Sequence, residues 1–195
     1  MTADTAGAVF PTETVLSDGS VYRVVPVETG VRAIRAWVEH PWPMSPAQAL
    51  ALRDRLGWTS SPTNERMFTT DHGIGEKDAS FNTIEAGGDI RTVSSFHLSL
   101  TSRIPKPVRA EAVPIAERAF EAYVEALTAI YGQGKRSRNR GVLSVTWALP
   151  NDALVDIGTV GRVVSVDVDS PAGNEAARGE AQYFDEIADE NDPAR

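Results

Sequence analysis

Ile90-Arg91-Thr92-Val93-Ser94-Ser95-Phe96-His97-Leu98-Ser99-Leu100 is followed, past Pro105 and Pro107, by the segment running from about Glu111 to Tyr131. The reading of these two neighbours decides the fold. In the first, Ile90, Thr92, Phe96, Leu98 and Leu100 fall on one side, and Arg91, Ser95, His97 and Ser99 on the other. Alternation of this kind predicts a strand with one face buried and the other in water. In the second, Ala116, Phe120, Tyr123, Val124, Leu127 and Tyr131 trace one apolar stripe, while Glu117, Arg118, Glu121 and Glu125 keep mostly to other faces. That spacing predicts a long amphipathic helix, ended by Gly132.

Upstream, Ser80–Ile84 and Arg66–Thr70 read as two further strands, with a hairpin turn at Ala86-Gly87-Gly88-Asp89. Before them, Ser45 suits an N-cap, Pro46 the first helical position and Gln48 the third, so a helix should start there and stop at Leu56-Gly57. Val31, Ile34, Trp37 and Val38 mark a shorter helix over Gly30–Glu39, stopped by Pro41-Trp42-Pro43. Val21–Val25 is β-rich and ends at Pro26. Downstream, Lys135-Arg136-Ser137-Arg138-Asn139-Arg140 reads as a basic loop. It leads into three strands over Val142–Leu149, Ala153–Ile157 and Arg162–Val168.

The order helix, three strands, helix, three strands, with short turns, predicts an α+β fold. Its antiparallel sheet should have about six or seven strands, with two main helices on one face. The expected layout is a loose segment 1–20, one domain over 21–170 and an acidic tail over 171–195. Halves at 31–104 and 105–170 would fit a duplication.

The chain has 195 residues, 19 Lys+Arg against 27 Asp+Glu, 3 His, no Cys and a net charge of −8. One domain is the default at roughly 100–200 residues per domain. The absence of Cys removes disulfides, thiolate nucleophiles and Cys-ligated metals. The acidic balance argues against nucleic-acid binding, no apolar run suits a membrane span, and nothing at Met1–Ala8 resembles a secretory signal. The expectation is therefore a cytoplasmic protein. Its charge is uneven: residues 170–195 hold 7 acids and 2 bases, and the rest 20 acids and 17 bases.

Candidates for chemistry are few. Gly132-Gln133-Gly134-Lys135 hints at a phosphate loop, but Ala129 and Arg136 break that motif and a helix precedes it. Asp71-His72-Gly73-Ile74-Gly75-Glu76 places a histidine between carboxylates, which suits a general base, a metal ligand or a partner contact. Asp167 and Asp169 share one strand face and read as solvated. No Gly-x-Ser-x-Gly or His-Glu-x-x-His motif is present. Trp42, rigid between two prolines, suits an interface anchor.

Trp42-Pro43-Met44-Ser45, the helix ending Leu56-Gly57-Trp58, and Thr146-Trp147-Ala148-Leu149-Pro150 with its hairpins to Val168 together resemble an uncharacterised bacterial family. It is one of the domains of unknown function of filamentous soil bacteria and their relatives. The resemblance spans Val31 to Ser170 and supplies no catalytic residues. Members of such families often sit near secreted or polymorphic toxins, which implies an immunity or chaperone role.

The expectation is thus a non-enzymatic protein-binding protein without cofactor. The favoured form is an immunity protein against a basic toxin; a secretion chaperone for an effector is the alternative. Contacts would come from Trp42, Asp71, His72 and Glu76, with Arg136, Arg138 and Arg140 facing acidic groups. A small hydrolase or ligand-binding enzyme built on Asp71, His72 and Glu76 is the competing reading.

Overall fold

A computed structural model describes residues 12–85, 91–139 and 141–190. The chain runs through β1 (Glu13–Val15), β2 (Val21–Arg23), α1 (Val27–Val38), α2 (Pro46–Arg55), β3 (Thr59–Ser61), β4 (Asn64–Thr69), β5 (Ala79–Glu85) and β6 (Arg91–Ser99). A 3-10 turn (Lys106–Val108) then leads into α3 (Arg109–Tyr131), β7 (Lys135–Asn139), β8 (Val142–Ala148), β9 (Leu154–Thr159), β10 (Val164–Asp169) and α4 (Pro171–Glu190).

The architecture is α+β. An antiparallel sheet of eight strands has the order β3-β4-β5-β6-β10-β9-β8-β7, and β1 and β2 form a separate two-stranded sheet. Each half of the large sheet is a helical segment followed by a four-strand meander. The last strands of the two meanders, β6 and β10, pair at the centre, with Ser99 opposite Ser165 and Asp169 opposite Ser95. The expected unit of three strands is therefore a unit of four.

One face of this sheet carries the core. Phe68, Phe81, Phe96, Leu98, Val155, Ile157, Val164, Val166 and Val168 meet the buried sides of α1, α2 and α3. Trp37 stacks on Phe96 with ring centroids 4.0 Å apart. Three helices, rather than two, cover this face. α1 starts earlier than its apolar spacing indicates, because Pro26 supplies the turn into it. α2 starts as expected: Ser45 Oγ accepts from the Gln48 backbone N–H, and Gln48 Oε1 accepts from the Ser45 N–H at 2.8 Å. Gly57, at φ 75°, lies in the left-handed region just beyond that helix.

Four other expectations need correction. The basic loop is β7, an edge strand paired with β8 from Lys135 opposite Thr146 to Asn139 opposite Val142. Its side chains are all exposed, so nothing apolar marks it; its cations suit an edge that must not pair with another chain. The segment after Ser170 is a helix through Glu190. Ser170 Oγ accepts from the Gly173 N–H, and Pro171 takes the first helical position. The N-terminal segment holds β1, paired with β2 from Glu13 opposite Arg23. Finally, β6 does not alternate throughout. The register with β5 shifts where Asn82 faces Ser95 and Thr83 faces Val93, so Thr92 and Val93 are both buried. The Ala86–Asp89 turn, Ile90 and Arg140 lie outside the described residues.

Candidate functional site

Along its middle, among the described residues, the second face of the sheet is half-buried or exposed. Its middle row, read from the strand registers, is Ser80, His97, Asp167, Asp156, Thr146 and Lys135. Each member stands opposite the next on the neighbouring strand. Flanking rows hold Asn82, Ser95 and Asp169 on one side, and Ser99, Ser165, Gly158, Ser144 and Ser137 on the other. The surface is mostly hydroxyls, amides and carboxylates, with three aspartates on β9 and β10, and Leu154 and Ala148 continue the Asp169 row.

Its centre is electrostatically strained. Asp156 and Asp167 face each other directly, an arrangement that costs stability between like charges. His97 Nδ1 lies 2.8 Å from Asp167 Oδ1, and Thr146 Oγ1 donates to Asp156 Oδ2 at 2.5 Å. Partial burial, then the Asp167 charge, hold the Asp156 carboxyl above its ordinary range despite that donor. Burial and the charges of Asp167 and Asp156 do the same to Asp169. The sequence shows Asp167 and Asp169 on one face. It does not show His97 or Asp156 beside them, because the seam between the two halves makes that neighbourhood.

The six described candidate residues do not converge. Trp42 is half-buried and lines a cavity of about 750 Å³ between the Pro41-Trp42-Pro43 loop, the β8–β9 turn and the first turns of α4. Asp71 and His72 border a different cavity of about 320 Å³, beside Glu13, Arg23 and Thr29. The His72 side chain is 6% exposed, with Nδ1 3.1 Å from Asp71 Oδ1. Its Nε2 is enclosed without a hydrogen-bond partner among the described residues, and its ring meets Trp58 edge-on. Burial pushes its pKa down, against the pull of Asp71 and Asp78. Thr70 rather than His72 holds the buried Asp78, through its N–H at 2.7 Å and its hydroxyl at 2.6 Å. Glu76 is exposed and does not border the His72 cavity.

Arg136 and Arg138 stand on β7, at the sheet's edge. Arg136 makes a two-pronged pair with Glu121 of α3, at 2.9 and 2.6 Å. Among the described residues, no group of three His, Asp or Glu side chains is placed to hold a metal ion. No described helix is long and apolar enough to cross a membrane.

The model of a family of unknown function, DUF6301, matches residues 28–170. The chain belongs to DUF6301. No curated protein and no solved structure matched it. The DUF6301 segment contains the whole eight-stranded sheet, the aspartate rows and the Trp42 loop. It stops at Ser170, so α4, which closes one side of the Trp42 cavity, lies beyond it.

Proposed function

We propose that this DUF6301 protein is a non-catalytic binding protein that captures a basic protein partner on its uncovered sheet face. Its sharpest form is an immunity protein that covers the cationic groove of a toxin. The observation that carries this reading is the open face itself, with Asp156, Asp167 and Asp169 grouped on β9 and β10. Directly opposed carboxylates weaken the isolated fold; a cationic partner relieves that repulsion and is steered toward the face. Two copies of this chain meeting through this face would bring like charges together, which argues for a partner of opposite charge. The enclosed Nε2 of His72 and the separation of Glu76 from its cavity speak against a catalytic site at that loop.

The test is capture of partners from the native host at low and high salt, using the wild-type chain and an Asp156→Asn/Asp167→Asn variant. The expected result is one basic partner, weakened by salt and by at least about tenfold in the variant. Asp71→Asn/Glu76→Gln is expected to bind as the wild type does. A partner indifferent to both salt and the sheet-face variant would remove the proposal. Several partly folded clients held through apolar contacts would favour the chaperone reading.

A further inference from the structure

The Trp42 cavity lies outside the sheet face, and its chemistry is distinct. One wall is apolar and stiff, formed by Val38, Pro41, Trp42, Pro43 and Pro171. Its lining includes one enclosed donor without a partner among the described residues, the Trp42 Nε1–H, and the other polar groups are mainly hydrogen-bond acceptors. His40 Nδ1 lies 2.8 Å from the Pro41 carbonyl oxygen, so Nδ1 carries a proton and donates to it. Asn174 is 5% exposed and donates through Nδ2 to the Asp152 carbonyl at 3.0 Å. That fixes its amide orientation, and its Oδ1 has no partner among the described residues. Thr92 spends its hydroxyl proton on the Met44 carbonyl at 3.0 Å. Asp152 and Glu175 add carboxylates, and Glu39, already paired with Arg35 at 2.6 Å, adds another. Arg178 is the one Lys or Arg on the described lining.

We propose that this cavity binds an organic cation: an ammonium or guanidinium group carried on an apolar stem. The buried, half-satisfied Asn174 is the anchor. Its Oδ1, without a partner among the described residues, is free to accept a donor from a ligand. The carboxylates supply charge, and the Trp42 ring and prolines take the stem, as aromatic walls do for cations and their alkyl chains. Either a basic side chain of a protein partner or a free small amine presents this group. The inference does not rest on the sheet face.

The probe is n-butylguanidinium, with n-butylurea as its neutral counterpart of the same shape. Each is titrated into the ¹⁵N-labelled full-length chain while the tryptophan indole N–H signals are followed, with Trp42 assigned through Trp42→Phe. The expected result is a saturable shift of the Trp42 signal with butylguanidinium and binding of butylurea weaker by at least about tenfold. Asp152→Asn/Glu175→Gln should weaken the cation to a similar degree. Arg178→Gln should tighten it, a gain that a misfolded variant does not produce.

A blocked tripeptide with a central arginine distinguishes the sources. Binding as tight as that of butylguanidinium points to a partner's side chain; failure of the peptide alone points to a free amine. Equal binding of cation and urea, an unmoved Trp42 signal, or Arg178→Gln binding no better than wild type would each overturn the proposal.

Discussion

Asp169 shows how single residues of the sheet face trade stability for charge. Its carboxyl is held above the ordinary range by burial and by Asp167 and Asp156. A raised carboxyl binds its proton more tightly in the folded chain, so it favours folding only once the pH has dropped through that raised value. At neutral pH its charge is a cost. Asp169→Asn should therefore stabilise the fold at pH 7 by about 0.2–1 kcal/mol in thermal or urea unfolding. The gain should shrink as the pH falls and the wild-type carboxyl takes up its proton.

His72 carries the opposite sign. Burial lowers its pKa below the ordinary histidine value of about 6.5. Its contribution is intact above that value and is lost as the pH falls through it toward the lower folded value, because the unfolded chain takes the proton first. Between pH 7 and pH 5 the wild type should lose stability relative to His72→Gln; equal slopes would show that His72 does not titrate in this way. The sequence places His72 between carboxylates, but whether it is open or enclosed depends on Trp58 packing over it. Four residues around Asp71 cannot reveal that.

At the scale of elements, two helices begin with the same chemistry. Ser45-Pro46-Ala47-Gln48 opens α2, and Ser170-Pro171-Ala172-Gly173 opens α4. The first is legible because apolar residues follow it and Gly57 ends it. The second is obscured by the run of acids behind it, which reads as a solvated tail. In the structure, α4 is exposed from Glu175 through Tyr183 and is held at its start. Asn174 grips the Asp152 carbonyl, and Gly173 lies so close to the Ser94 carbonyl that a Cβ there would run into it.

These two starts predict different failures. Ser45→Ala removes the capping box and should cost about 1 kcal/mol of global stability in denaturant unfolding. Gly173→Ala should instead loosen α4 alone, seen as faster amide exchange and protease cleavage after Ser170 with the sheet's protection unchanged. Equal loss of protection in the sheet would mean that α4 is integral to the core. The strand β7 is illegible for a related reason. Its pairing with β8 is made by backbone groups, and its five exposed side chains leave no period to read.

At the scale of the molecule, the fold class is readable because strand and helix periods change at Pro105 and Pro107, and because short turns impose antiparallel neighbours. The β6–β10 seam is not readable in this way. It joins residues about as far apart as His97 and Asp167, and no local pattern states which strands of two meanders will meet. Yet this seam makes the site. It sets His97 against Asp167 and Asp167 against Asp156, and so groups the three aspartates on one polar face. The apolar face is legible in the alternation of Val164, Val166 and Val168 along β10; the opposite face gains meaning only when all the registers are aligned.

Capture of a basic partner through charge, as proposed for this face, is a matter of association kinetics. The most direct measurement is the association rate of the purified partner with the wild-type chain and with Asp156→Asn/Asp167→Asn, taken across a range of salt concentrations. The expected result is a wild-type rate that falls steeply as salt rises, and a variant that is slower by about tenfold at low salt with a shallower dependence. Identical rates and identical salt dependence for the two chains would contradict it.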